Sequence, residues 1–116
     1  MLIVDDQPVF RRVARELLEA RGYAVAGEAT GAAEALAAAE RLAPDAVLLD
    51  VRLGDESGHE LARALSRLDC APAVLLVSAL DDGEGEERAS ACGARGFLPK
   101  AVLAVTDLAR FWPHVV

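Results

Sequence analysis

Short apolar runs alternate along this chain with segments of helical period. The runs occupy residues 2–4, 23–27, 46–49, 73–77 and 96–98. Several carry no polar alternation, which is typical of strands that are covered on both faces. Between the runs, apolar residues recur every three or four positions, as expected of helices that pack one face on a sheet. The alternation predicts an α/β protein with a parallel sheet and helices on both of its faces.

The last third of the chain gives weaker signals. Two glycines and an acidic start precede any apolar pattern after the fourth strand, so we expect a mobile loop at 81–85 and a short helix at 86–92. A fifth helix is predicted over 102–112, and Pro113 should end it.

Composition narrows the class of protein. The 116 residues suit one domain, 53% of them are hydrophobic, and the net charge is −7. An acidic surface argues against unaided nucleic-acid binding, which depends on clustered basic residues. Cys70 and Cys92 have neither CxxC spacing nor a histidine cluster, which favours reduced thiols in a cytoplasmic protein. The longest apolar stretch, residues 71–80, is far shorter than the roughly 20 residues that span a membrane.

Polar residues follow four of the predicted strands. The first strand runs into Asp5 and Asp6, the third into Asp50, the fourth into Ser78 and the fifth into Lys100. In an open parallel sheet of order 2-1-3-4-5, ligands bind beyond the carboxyl ends of the strands, between the first and the third. The five side chains should therefore meet at one edge of the sheet.

Three aspartates at close range favour a bound divalent cation, because like charges raise one another's pKa. All the candidate ligands are hard oxygens, which suits Mg²⁺ shared with a phosphate. With the metal present, an aspartate could take up a phosphoryl group while a lysine neutralises the phosphoryl oxygens. Each residue alone is typical of an ordinary turn or a solvated strand end, and only their convergence favours a site.

The choice of lysine at position 100 supports this interpretation. The chain has twelve lysines and arginines, and Lys100 is the one lysine among them. Arginine presents a broad planar fork, whereas lysine offers a compact ammonium that binds phosphate as a point charge. A narrow crevice that holds carboxylates and a metal favours the compact group.

These motifs resemble the receiver domain of bacterial two-component response regulators. The similarity runs through "LIVDDQ", "AVLLDVRLGDESG", "LLVSA" and "GFLPK", and so covers essentially the whole chain. It implies a flavodoxin-like, doubly wound (βα)5 fold with a five-stranded parallel sheet of order 2-1-3-4-5. Residues 1–116 would then form a single receiver domain, with no output domain in this chain.

The resemblance also implies a function. Asp50 would accept a phosphoryl group from the phosphohistidine of a sensor kinase or a phosphotransfer protein. Asp5, Asp6, Asp50 and the backbone carbonyl of Arg52 would hold Mg²⁺, for which Mn²⁺ could substitute. Asp6 is expected to be the more direct acidic ligand.

In such a switch, Ser78 would bind the phosphoryl group and Phe97 would change rotamer with it. The fourth helix, fifth strand and fifth helix would form the face that controls a partner, an output domain or a homodimer. Arg52 and Leu80 flank the path of an attacking water and would tune dephosphorylation. The resemblance implies a cytoplasmic protein with no separate substrate turnover, and no direct contact with nucleic acid or membrane.

Several residues depart from the family pattern. Phe97 replaces the usual tyrosine, and Gly54 stands where proline is common. Pro99 precedes Lys100 while Ala101 follows it, so the Lys100–Ala101 bond could be cis or trans. His59 and His114 lie near no second acid and are expected at the surface, not as phosphoryl donors.

Two alternatives stay open at this stage. One is an interaction module of receiver fold that works without phosphorylation, as Phe97 and Gly54 suggest. The other is an aspartyl-phosphate phosphohydrolase. Enzymes of the haloacid-dehalogenase type need a second aspartate two places after the nucleophile, and Arg52 stands there.

Overall fold

A five-stranded parallel sheet forms the centre of the protein. The structure is a computed structural model, and it describes residues 1–80 and 83–113. The strands of the sheet are β1 (Leu2–Val4), β2 (Gly27–Ala29), β3 (Ala46–Asp50), β6 (Ala73–Ser78) and β7 (Gly96–Pro99). Their order is β2-β1-β3-β6-β7. Since β6 and β7 are the fourth and fifth strands of the predicted sheet, the predicted order and the flavodoxin-like fold are confirmed.

A small antiparallel hairpin accounts for the two extra strand numbers. It pairs β4 (Arg52–Leu53) with β5 (Glu56–Ser57) directly after β3. Leu53 is buried in the core beside the sheet, and this contact anchors the hairpin.

Within the described residues, four α-helices connect the strands: α1 (Pro8–Ala20), α2 (Ala32–Leu42), α3 (Gly58–Ser66) and α4 (Gly85–Ala91). The α4 bounds agree with the short helix predicted at 86–92. Asp81 and Asp82 of the predicted loop lie outside the described residues, as does His114. No helix in the described part of the chain is both long and apolar enough to cross a membrane.

Two apolar clusters cover the two faces of the sheet, because successive side chains of a strand point to opposite faces. Leu2, Val4 and Leu49 belong to the cluster that packs against α2, α3 and α4. Ile3 and Leu48 belong to the cluster that packs against α1 and the C-terminal segment. Burial on both faces explains why the sequence shows continuous apolar runs.

The second strand lies four residues later than predicted, over 27–29 instead of from residue 23. Tyr23 and Val25 are apolar because they pack against the α1 side of the core, not because they pair in the sheet. At the edge of the sheet the strand itself needs few apolar residues, and of its three residues Ala29 alone is buried.

The predicted fifth α-helix does not form. The chain makes two 3₁₀ turns instead, Lys100–Val105 and Leu108–Arg110. Leu103, Leu108 and Trp112 are all buried. In one straight α-helix Leu103 and Trp112 would point about 180° apart, so a single helix could not bury both.

Local contacts stabilise the break between the two turns. Thr106 is extended, and the carboxylate of Asp107 accepts a hydrogen bond from the backbone N–H of Ala109 at 3.1 Å, which starts the second turn. The guanidinium of Arg21, at the end of α1, donates to the carbonyls of Ala104 and Thr106. These contacts hold the 3₁₀ segment against α1.

Candidate functional site

Three carboxylates meet where β1 and β3 end. The strands are direct neighbours in register, so Asp5 and Asp6 after β1 lie beside Asp50 at the end of β3. One carboxylate oxygen from each of the three lies within 4.8 Å of the others. Asp5 and Asp50 are buried, whereas Asp6 is exposed. The donor set consists of hard oxygens, and its spacing fits a divalent cation such as Mg²⁺.

Lys100 completes this cluster from the end of β7. Its Nζ lies 2.7 Å from Asp5 Oδ2 and 3.0 Å from Asp50 Oδ2. The ammonium also donates to Gln7 Oε1 at 3.3 Å and lies 4.2 Å from the ring centroid of Phe10. The sequence places the lysine at this edge correctly, but it gave no indication of the parts that Gln7 and Phe10 play.

The pKa shifts reflect this crowding. Burial raises the pKa of Asp5, and the nearby Asp50 carboxylate adds to that effect, while Lys100 and the Gln7 N–H oppose it. Burial lowers the pKa of Lys100, but its hydrogen bonds to Asp5 and Asp50 outweigh burial, and the pKa is raised overall. The ammonium is therefore charged at neutral pH and balances part of the negative charge of the cluster.

The backbone after β3 holds Asp50 in place. The N–H of Arg52 donates to Asp50 Oδ1 at 3.1 Å, and the N–H of Val51 donates to the carbonyl of Val77 at 2.9 Å. A Cβ atom at Gly58 would lie 2.1 Å from the Asp50 carbonyl oxygen. Only glycine allows α3 to begin this close to the acidic residue.

Gly54 supports Asp6 in a way that proline could not. Its φ is +62° and its N–H donates to Asp6 Oδ2 at 3.2 Å. Proline has no N–H and a fixed negative φ. The departure from the family pattern at this position therefore gives the hairpin a direct contact with the acidic pair.

A cavity of about 370 Å³ opens beside Asp50. Its walls include five residues that the sequence singled out around Asp50, namely Arg52, Ser78, Leu80, Phe97 and Lys100. The Ser78 hydroxyl accepts a hydrogen bond from the Leu80 N–H at 3.1 Å. Leu80 itself is 77% exposed. The structure thus brings the predicted residues together, while their individual roles stay predictions.

Further residues that the sequence did not indicate line the same cavity, among them His59, Gly85 and Arg88. His59, which was expected at the surface, is half-buried in the cavity wall at the start of α3. No spacing rule ties α3 or α4 to the strand ends, so the sequence held no signal for these contacts.

The ring of Phe97 is buried against the first turn of α4. A Cβ atom at Gly85 would lie 2.2 Å from the nearest ring carbon, so the ring occupies space that only glycine leaves open. Phe97 therefore links the cavity to α4 through packing alone.

The backbone between Phe97 and Ala101 contains no cis bond, so the Lys100–Ala101 bond is trans.

Comparisons with known proteins agree with this geometry. The family model for the response regulator receiver domain matches residues 1–109. The chemotaxis protein CheY of Thermotoga maritima is 30% identical over 100 residues, which cover 86% of this chain and 83% of that protein. The transcriptional regulatory protein PdtaR of Mycobacterium tuberculosis is 33% identical over 108 residues, or 93% of this chain. The chain spans only about half of PdtaR, 52% of its length.

Solved structures show the same fold. The signal receiver domain of a modulated diguanylate cyclase from Desulfovibrio desulfuricans superposes with a TM-score of 0.81 at 33% identity, over 98% of this chain and 90% of that one. A response regulator from Burkholderia pseudomallei gives a TM-score of 0.83 at 30% identity, over 95% of this chain and 64% of that one. The chain belongs to the family of response regulator receiver domains, which act in two-component signalling.

Proposed function

We propose that Asp50 accepts a phosphoryl group from the phosphohistidine of a sensor kinase or phosphotransfer protein, in a reaction that requires Mg²⁺. One observation carries the proposal: the Asp50 carboxylate lies at the sheet edge between two further carboxylates and the Lys100 ammonium. The Burkholderia pseudomallei regulator, which shares the fold, is described with a phosphorylated aspartic acid and a calcium ion. That description supports a carboxylate as the acceptor.

The metal would be held by Asp5, Asp6, Asp50 and the backbone carbonyl of Arg52, and Mn²⁺ would serve in its place. A bound Mg²⁺ supplies positive charge that offsets repulsion among the carboxylates and the incoming phosphoryl oxygens. Asp6 is exposed, and its Oδ2 accepts only a long hydrogen bond of 3.2 Å from Gly54, so it can turn towards a cation at little cost.

The residues of the chain itself then perform the transfer. An Asp50 oxygen attacks the phosphorus atom, and the bond from phosphorus to the donor's nitrogen breaks, with its electron pair leaving on the donor. Lys100, already 3.0 Å from Asp50 Oδ2, stabilises the negative charge on the new acyl phosphate. Ser78 gives up the Leu80 N–H and donates its hydroxyl hydrogen to a phosphoryl oxygen.

Output would pass through the face that contains α4 and β7. Because the Phe97 ring packs on α4, movement of Ser78 and Lys100 around it shifts the balance between two packings of that helix. We propose that residues 1–116 act as one receiver domain controlling a downstream partner or output domain, with homodimerisation through this face as one route. Arg52 and Leu80 line the cavity and would tune the lifetime of the acyl phosphate.

Intact mass spectrometry tests the proposal. The protein is incubated with a small acyl-phosphate donor, with Mg²⁺ or with a chelator. We expect one phosphoryl adduct that depends on Mg²⁺ and disappears in Asp50→Ala. Asp55→Ala is the matched control, since Asp55 is an exposed aspartate of the hairpin turn outside the cluster. An adduct that survives in Asp50→Ala, or no adduct in the wild type, would overturn the proposal.

A further inference from the structure

The cavity beside Asp50 has a wall of basic side chains in addition to Lys100. Arg52, His59 and Arg88 all line it, and they come from the hairpin, α3 and α4. The chain as a whole has a net charge of −7. In such an acidic protein, two arginines brought to one cavity by the hairpin and α4, in addition to Lys100, favour an anionic occupant of that cavity.

Arg88 is the member of this wall that belongs to a helix of the output face. It lies three residues after Gly85, and residues at this spacing share one face of a helix. Gly85 is the residue against which Phe97 packs, and both Gly85 and Arg88 line the cavity. The face of α4 that carries the Phe97 contact therefore also carries Arg88, which lines the cavity beside Asp50.

Arg88 forms an exposed ion pair with Glu84. The Arg88 Nη2 atom lies 2.5 Å from Glu84 Oε2, one helical turn away. Both side chains are more than half exposed, at 53% and 60%. Exposed pairs at this spacing add little to stability, because water competes for both partners. A more highly charged anion in the cavity would therefore displace Glu84.

We infer that Arg88 binds the phosphoryl group on Asp50, and that it exchanges the Glu84 carboxylate for phosphoryl oxygens when Asp50 is modified. The inference rests on the proposed function, because it needs a phosphoryl group at Asp50. Such a group carries nearly two negative charges, and a guanidinium can bind it with two parallel hydrogen bonds.

This exchange gives the protein a polar link between the acceptor and α4. Phe97 has no hydroxyl group, so its ring transmits only packing. Arg88 would instead connect the phosphoryl group to α4 by an ion pair with directional hydrogen bonds, which apolar packing does not provide. We therefore expect Arg88 and Phe97 to act on the same helix through different physical forces.

Affinity for beryllium fluoride, a stable mimic of the phosphoryl group, tests the inference at fixed Mg²⁺. Arg88→Gln should weaken binding about tenfold, as the loss of a hydrogen bond to a charged group does. Arg63→Gln should change nothing, since Arg63 is an exposed arginine of α3 outside the cavity. Glu84→Gln should tighten binding about threefold, because it removes a carboxylate that competes for Arg88.

The two variants are expected to change the affinity for beryllium fluoride in opposite directions, which distinguishes phosphoryl binding from a structural role of the pair. If the pair only stabilised α4, Arg88→Gln and Glu84→Gln would weaken binding alike, and that result would overturn the inference. Equal affinity of Arg88→Gln and Arg63→Gln would also overturn it. A shift of the Arg88 Nε–Hε NMR signal on addition of beryllium fluoride supports it directly, whereas an unmoved signal contradicts it. Failure of the wild type to be phosphorylated at Asp50 would instead remove the proposed function.

Discussion

Two parts of this molecule meet at Lys100 and are held together in different ways. On one side, the charged edge of the sheet is built from specific polar contacts, each of which needs one residue type. On the other, the segment after Lys100 is held by large apolar side chains, with Leu103, Leu108 and Trp112 buried in the α1 side of the core. The backbone of this segment forms two 3₁₀ turns instead of one α-helix, because that arrangement buries these side chains.

The difference shows which substitutions each region tolerates. At the charged edge, a substitution such as Asp→Asn or Lys→Arg should change the reactivity of the site while the fold is retained. In the C-terminal segment, apolar volume matters and the exact backbone pattern does not. Function should therefore be sensitive at the edge, and stability should be sensitive in the segment.

The largest expected effect is on stability in the C-terminal segment. Trp112 is 1% exposed, its indole N–H donates to the Ala73 carbonyl at 3.0 Å, and its ring packs edge-on against Tyr23. Trp112→Ala should lower the free energy of unfolding by about 3–5 kcal/mol. Urea unfolding followed by circular dichroism measures this. Val105→Ala, at an 84% exposed position of the same segment, should stay within about 0.5 kcal/mol of wild type.

Gly58→Ala should have the next largest effect. It is an exception to the contrast between the two regions, because it lowers stability although it lies at the charged edge. The added Cβ would lie 2.1 Å from the Asp50 carbonyl oxygen, so the backbone must move. We expect a loss of about 3 kcal/mol in urea unfolding, at the upper end of overpacking costs. A loss below about 0.5 kcal/mol would show that the start of α3 adapts freely.

Lys100→Arg should separate chemistry from folding. The fold and the charge are retained, but a planar guanidinium fits poorly among Asp5, Asp50 and Gln7. Phosphorylation by a small donor should slow roughly 10–100-fold, as for a misplaced catalytic group. The rate is followed by intact mass at fixed Mg²⁺, with Arg63→Lys, an exchange between the same two residue types at an exposed position of α3 outside the cavity, as control. An unchanged rate would mean that only the charge at position 100 matters.

The smallest effect concerns the stability of the metal-free protein. Because burial and Asp50 raise the pKa of Asp5, its ionised form is disfavoured in the folded state. Asp5→Asn should therefore raise the free energy of unfolding at pH 7, although it removes a predicted metal ligand. Urea unfolding of both proteins with a chelator present measures the gain.

The pH dependence of that gain follows from the direction of the shift. A raised folded-state pKa means that wild type loses stability as pH rises from the ordinary value of 3.8 through the raised one. The gain in Asp5→Asn should accordingly fade as the pH falls through 3.8 and vanish about one pH unit lower, where Asp5 is neutral in both states. A gain that persists at lower pH would point to packing and not to charge. Lys100, with its raised pKa, should add stability that is lost only as the pH rises through that value, above 10.5.

The charged edge could be predicted from the sequence because residues that end or follow parallel strands lie at the same edge of the sheet. Asp5, Asp50 and Lys100 each follow a buried strand, and parallel strands end at one edge of the sheet. Contacts from the helices were not accessible in the same way. Arg88 and His59 reach the cavity only through the packing of α4 and α3, which no local pattern encodes.

The C-terminal segment was predicted wrongly for a related reason. The prediction was a helix over 102–112, but the spacing of Leu103 and Trp112 puts them on opposite faces of any straight helix. Burying both required a break at Thr106 and Asp107. The second strand was misplaced because apolar residues beside a sheet edge need not be paired in it.

Chemical mapping of the phosphorylated residue tests the central claim most directly. Wild-type protein is phosphorylated with a small acyl-phosphate donor and Mg²⁺, reduced with borohydride, and digested for peptide sequencing by mass spectrometry. Borohydride converts an aspartyl phosphate to homoserine, which marks the acceptor. We predict homoserine at position 50 and at no other aspartate. Homoserine at Asp5 or Asp6, or its absence at position 50 in a phosphorylated sample, would contradict the account.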